Sequence, residues 1–206
     1  MLLMMATTHA LVGVLLGSVS LFVAPELAPV AVLAGFAGGV FPDLDLYSGH
    51  RKTLHFPVYF SIAAVATLAI AAVVPTALTF AVGFFLLAAA AHSVSDAFGG
   101  GLELKPWLGQ SERAVYDHFR GQWISPRRWI RYDGAPEDFA LGFAVALPSL
   151  VLYDGTIQTL VVAAVLISGV YALLRKPLVR IAEWMVGQIP DHLLAYVPDR
   201  FVGDFV

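Results

Sequence analysis

Five stretches of this chain carry no Asp, Glu, Lys or Arg: Met1 to Pro25, Leu27 to Pro42, Thr53 to Ser95, Phe139 to Tyr153 and Gly155 to Leu174. A helix needs about 20 apolar residues to cross a bilayer, because the hydrocarbon core accepts only backbone groups already bonded within the segment. The third run is about twice that length. Val73-Val74-Pro75-Thr76 interrupts it, so it reads as two helices joined by a tight turn. The expectation is an all-α integral membrane protein: a single domain over 1–206, built as a bundle of about six transmembrane helices. The spans fall near 6–24, 27–41, 56–74, 76–97, 138–153 and 156–174. The second and fifth are the shortest, and the fifth carries Pro148, which a membrane helix tolerates with a kink. The first run lacks a basic leader and an Ala-x-Ala cleavage pattern, so it reads as a span and not as a signal peptide.

Charge then orients the bundle. With six spans, one face holds only the turns at Pro25-Glu26, Pro75-Thr76 and Asp154-Gly155. All 12 Lys and Arg residues fall on the other face, in the loop at 51–52, in the long loop 98–137 and in the tail 175–206. The positive-inside rule makes that face, and both termini, cytoplasmic, in a multi-pass protein of the cell (inner or plasma) membrane. Trp107, Trp123, Trp129 and Trp184 fall on the same side, as an interfacial belt requires. Pro177 to Gly187 mixes apolar residues with Arg180 and Glu183 and reads as a short amphipathic helix on the membrane surface. Ala31, Gly35 and Gly39 recur every four residues, giving the second span a face of small residues for close helix packing.

Composition closes off other classes. Of 206 residues, 59% are hydrophobic and 13% charged, against about 25% charged in soluble domains. A net charge of −3 excludes a basic nucleic-acid-binding domain. The absence of cysteine excludes disulfide scaffolds, thiolate metal sites, iron–sulfur clusters and a Cys nucleophile. The partners expected are the bilayer and a small-molecule or lipid substrate.

Ionisable groups inside spans are costly and mark function. Here they cluster. His9 lies near the start of the first span, Asp43 and Asp45 follow the end of the second, His50 and His55 precede the third, and His92 and Asp96 close the fourth. Chain direction alternates between spans, so all seven share one depth and one side. His92 and Asp96 are four apart and project from one helical face. Mixed imidazole and carboxylate donors suit a divalent ion such as zinc, manganese or iron, one or two in number. The expected ligands are His9, Asp43, Asp45, His55, His92 and Asp96. His50 is a further ligand or a base, and Arg51 a group for stabilising a developing anion. In the long loop, Glu112 and Asp117-His118 read as solvated. Arg127, Arg128 and Arg131, interleaved with tryptophans, read as topology signal or as a cradle for an anionic group.

The same residues carry a resemblance. The succession TTHALVG, GGVFPDLDLYSGHRKTLHF and AAHSVSDAFGGGLELKPW resembles the predicted membrane-bound metal-dependent hydrolases of the YdjM-like group. The matching positions are His9; Pro42, Asp43 and Asp45; His50, Arg51 and His55; His92 and Asp96; Gly99 to Gly101; and Trp107, over about residues 6–108. The chain departs from the pattern at Leu54-His55-Phe56, where that group shows Thr-His-Ser. The resemblance implies a hydrolase. The function expected is therefore metal-dependent hydrolysis of an ester or phosphoester, a lipid among the candidates, at the cytoplasmic membrane face. The alternatives are a metal-ion or solute transporter and a non-enzymatic scaffold with a structural metal.

Overall fold

A computed structural model of the chain describes residues 4–46, 48–194 and 196, without the side chains of Asp191 and Leu194. Arg200 and the rest of the tail beyond Tyr196 lie outside the described residues. Six long helices account for most of the structure: α1 (Ala6–Ser18), α2 (Ala28–Val40), α3 (Pro57–Val73), α4 (Ala77–Ser95), α5 (Pro136–Leu152) and α6 (Gly155–Val186). A short antiparallel hairpin, β1 (Val115–Asp117) and β2 (Gln122–Ile124), lies between α4 and α5, and a single turn, α7 (Asp191–Leu194), follows α6.

The helix boundaries follow from local chemistry. Pro57 and Pro136 occupy first positions of α3 and α5, where their missing N–H would have no partner anyway. Thr76 caps α4 by a reciprocal exchange with Thr79. Short 3-10 turns at Pro25–Leu27 and Phe41–Asp45 extend α2 at both ends. Counting such extensions, three helices are long and apolar enough to cross a membrane: Pro25–Asp45, Ala77–Phe98 and Gly155–Val186. Ala6–Phe22 and Pro57–Val73 are apolar but shorter. The outer faces of α3 and α6 expose Ile62, Val65, Val73, Leu166, Val170 and Leu173, a surface suited to lipid.

α1 and α2 approach to backbone contact. A Cβ on Gly13 would lie 2.0 Å from the Gly35 carbonyl oxygen, one on Gly17 2.6 Å from that of Ala31, and one on Gly39 2.4 Å from that of His9. The small-residue face Ala31/Gly35/Gly39 of α2 is therefore the face that meets α1. Ala24, Ala31, Ala71, Phe80 and Phe84 form one core cluster towards the α3–α4 turn. Leu11, Val14, Val32, Ala146, Val161 and Ala164 form another among α1, α2, α5 and α6.

Two expectations are corrected. The amphipathic segment at Pro177–Gly187 is not a separate surface helix, because α6 runs without interruption through Pro177 to Val186. At 32 residues it is about 48 Å long, well beyond the ~30 Å of a bilayer core. Its last third packs against the long loop, with Arg175 and Val179 buried. The other correction is that Asp117, in the loop 98–137, is not solvated but buried at the end of β1, and this loop is tied to α6 by a buried ion pair. Arg175 donates to Asp133 at 2.8 Å and to the Leu104 carbonyl at 3.1 Å, and Tyr171 donates to the same Asp133 oxygen. Burial raises the Asp133 carboxyl above the usual carboxylate range, against the pull of Arg175. Removing one partner strands the other in a dry site. Arg175→Ala is expected to cost about 3–5 kcal/mol, measured as the loss in unfolding free energy of the detergent-solubilised protein.

Candidate metal centre

Four chain segments deliver the site. His9 lies in the first turn of α1, Asp43 in the 3-10 turn after α2, His55 just ahead of α3, and His92 and Asp96 at the end of α4. The start of α1 is pinned by Asp138 at the head of α5, which accepts the Met5 N–H and the Thr8 hydroxyl, both at 2.8 Å, and the Gly134 N–H at 3.0 Å. The loop before α3 turns back on itself through Gly49 and Arg51, both at positive φ. It is closed by the Leu54 N–H donating to Asp45 at 3.0 Å.

The three imidazoles share one arrangement. His92 Nδ1 contacts the Gly39 carbonyl at 2.6 Å, His55 Nδ1 contacts Asp45 Oδ2 at 3.0 Å, and His9 Nδ1 contacts the Ser95 hydroxyl at 3.3 Å. Two of these partners accept only, so His55 and His92 carry their proton on Nδ1 when neutral. The Ser95 hydroxyl donates to the His92 carbonyl, which leaves its lone pairs for His9. Each Nε2 then offers a free lone pair.

Those lone pairs face carboxylates. His55 Nε2 is 3.1 Å from Asp96 Oδ2 and 3.9 Å from Asp43 Oδ1; His92 Nε2 is 3.4 Å from Asp43 Oδ1 and 3.5 Å from Asp96 Oδ2; His9 Nε2 is 3.3 Å from Asp96 Oδ1. His9, His55, His92 and Asp96 are almost fully buried. Yet all three Nε2 atoms, Asp43 Oδ2 and Asp96 Oδ2 lack a hydrogen-bond partner among the described residues. Acceptors turned towards one another in a dry site repel unless a cation lies between them. Donors bonded to one tetrahedral ion at about 2.0–2.1 Å lie about 3.3 Å apart, close to the separations found. Two overlapping groupings satisfy metal-like spacing, His9/His92/Asp96 and Asp43/His55/His92. These buried groups could hold a metal ion, and His92, common to both, is the pivot.

Two expected roles change, and that of His50 is narrowed. Asp45 is not aimed at the common point. Its two oxygens are taken up by Nδ1 of His50 at 2.9 Å and of His55 at 3.0 Å. It stands behind the imidazoles and fixes their tautomer and orientation, as carboxylates behind metal-bound histidines do. Arg51 is buried with its guanidinium on Asp96 Oδ1 at 3.0 Å and on the Ala114 carbonyl at 3.2 Å. It positions the Asp96 carboxylate and does not present a free cation to a substrate. His50 belongs to neither donor grouping; it is held by Asp45 through Nδ1, with Nε2 buried and unpartnered. Burial lowers its pKa below the usual imidazole value despite Asp45.

The long loop contributes no donor. Glu112 pairs with Arg128 at 2.9 Å, Arg131 with Glu137 at 2.7 Å, and the buried Asp117 caps the hairpin turn by accepting the N–H groups of Phe119 and Arg120. Arg128 and Arg131 are thus engaged within the protein and do not form an anion cradle.

Several contributors were invisible in the sequence. Gly39 reads there only as a packing residue, but its carbonyl anchors His92. Asp138 sits at the head of a helix, where an acidic residue is ordinary, while its partners Met5 and Thr8 are about 130 residues away in sequence. Ser95, one position before Asp96, offered the only local hint, because a hydroxyl inside an apolar helix end invites a partner.

Comparison with protein-family models, curated proteins and solved structures finds no match to this chain. Fold and site together define a helical, membrane-type protein with buried His/Asp groups of metal-binding character.

Proposed function

We propose that this chain is a multi-pass membrane hydrolase of the YdjM-like kind, dependent on a divalent ion, with six spans and both termini cytoplasmic. In this reading it cleaves an ester or phosphoester at the inner membrane boundary. The observation that carries the proposal is the convergence of three imidazole lone pairs and one unpartnered oxygen from each of two carboxylates, nearly dry, from four separate segments. Zinc, manganese and iron suit this donor set. A bound divalent ion supplies Lewis acidity and a more acidic water.

The remaining roles belong to the chain. Gly39, Asp45 and Ser95 hold the Nδ1 sides of the three histidines, so that Nε2 of each stays available. Arg51 holds Asp96 in place and offsets part of its charge. His50, oriented by Asp45 as a base is by its carboxylate in an Asp–His pair, takes up a proton at Nε2. Asp43, less buried than the other donors, marks the side on which a substrate reaches the cluster.

Two measurements test this. Elemental analysis of the purified protein should find about one or two divalent ions per chain, and Asp45→Asn should weaken their retention about 10–100-fold while leaving the fold intact. Phosphoester and carboxylester substrates, including lipids in mixed micelles, should be cleaved by the loaded protein and not by His92→Ala. A purified chain that takes up none of the three metals overturns the proposal, and so does a fully loaded one that cleaves no member of either class.

A further inference from the structure

The hairpin explains a feature that the proposed hydrolysis does not use. Between Arg113 and Arg128 the chain holds four arginines against one aspartate. That aspartate, Asp117, is buried and occupied by the turn. Glu112 offsets Arg128, and the remaining exposed surface here is cationic on balance. It includes Lys52, whose ammonium lies 4.3 Å from the Tyr116 ring centre; Arg113, 5.8 Å from that of Trp123; and Arg120, 68% exposed with one nitrogen 3.5 Å from Asp117 Oδ2. At the tip of this basic surface Phe119 is 66% exposed. Its neighbour His118 sits on Phe56, at the start of α3, with ring centres 4.5 Å apart. The tip is thus fastened beside the head of α3, whose outward residues Tyr59, Ile62 and Val65 are exposed and apolar. An exposed aromatic residue at the tip of a cationic hairpin, placed where an apolar helix face ends, matches an anionic headgroup layer in both charge and depth.

We infer that the β1–β2 hairpin is a docking surface for anionic lipid headgroups, with Phe119 entering the headgroup layer and Lys52, Arg113 and Arg120 meeting phosphate. The inference rests on the membrane orientation proposed above and narrows the substrate class to anionic amphiphiles. The hairpin is built onto the donor cluster. The Tyr116 N–H donates to the Arg51 carbonyl at 2.9 Å, and the Ala114 carbonyl accepts from the Arg51 guanidinium that holds Asp96. Headgroups gathered at the tip are therefore gathered beside the site.

The chain has no cysteine, so single Phe119→Cys and Ile62→Cys variants can each carry one environment-sensitive dye. Both are reconstituted in nanodiscs of phosphatidylcholine alone or mixed with phosphatidylglycerol. The expected result is a blue shift at position 119 in the phosphatidylglycerol discs, reversed by added salt and abolished by Lys52→Gln/Arg113→Gln/Arg120→Gln, with position 62 apolar throughout. An aqueous spectrum at 119 in both lipids, with 62 apolar, overturns the docking surface and leaves the hydrolase reading standing. An apolar spectrum at 119 that ignores lipid charge and the triple substitution overturns the anionic preference. An aqueous spectrum at 62 overturns the membrane orientation and this inference with it.

Discussion

His92→Ala is expected to empty the metal centre. Its Nε2 belongs to both donor groupings, so its loss breaks His9/His92/Asp96 and Asp43/His55/His92 together. Removing a partner behind a ligand costs about 10–100-fold in affinity; removing a shared ligand should cost more than the upper figure. Asp43 and Asp96 would also lose the imidazole that stands between them. Metal content after dialysis, measured alongside His192→Ala in the exposed tail, gives the comparison. Equal content in the two variants would remove His92 from the centre, and stoichiometric content in Asp96→Ala would remove Asp96. Asp96 has a second role as the partner of buried Arg51, so unfolding of that variant must be followed in parallel. Asp96→Asn keeps the shape and isolates the charge.

The other large effect is expected from Gly35→Val. A Cβ on Gly35 would lie 2.2 Å from the Gly13 carbonyl oxygen and 2.9 Å from its carbon. Both are backbone atoms, so no rotamer change relieves the overlap and the two helices must separate. The cost should be about 3 kcal/mol, the upper end of the range for overpacking. The damage reaches the site, because α1 carries His9 while α2 carries Gly39, whose carbonyl anchors His92, and leads into Asp43. Metal affinity and stability should therefore fall together. Gly187→Ala, where the nearest atoms to a new Cβ are 3.4 Å and 3.6 Å away, should change neither. Unfolding and metal titration of the two variants in one detergent check this, and a Gly35→Val protein with undiminished metal affinity would show that the α1–α2 contact does not govern the centre.

Much of this arrangement was legible because the relevant pattern is one-dimensional. The apolar runs and the breaks at Pro25, Pro75 and Asp154 locate the six long helices. Reversal of direction at each break brings the start of α1 and α3 and the end of α2 and α4 to one level. That geometry alone predicts the meeting of His9, Asp43, His55, His92 and Asp96. What it could not do was separate donors from the groups behind them. Asp43 and Asp45 are two residues apart on a tight 3-10 turn, so one carboxylate reaches the Nε2 side of His55 and the other its Nδ1 side. No spacing rule distinguishes the two.

The hairpin and the extension of α6 were hidden for a different reason. Each strand is three residues long, too short for a period of two to register, and β1 is held partly by Arg51, more than 60 residues earlier in the chain. Pro177 reads locally as a break. The helix continues because Arg175 and Val179 on its inner face are buried against the long loop.

From its order of residues alone, this protein was committed to apolar helices and to the one end of the helical bundle at which its imidazoles and carboxylates gather. Those properties depend on neighbours along the chain and on the reversal of chain direction from one helix to the next. Tertiary structure decided which nitrogen of each histidine stays free, which aspartate faces the common point and which arginine is spent on holding it. These are contacts of about 3 Å between groups up to 130 residues apart, and only the packing of whole helices sets distances on that scale.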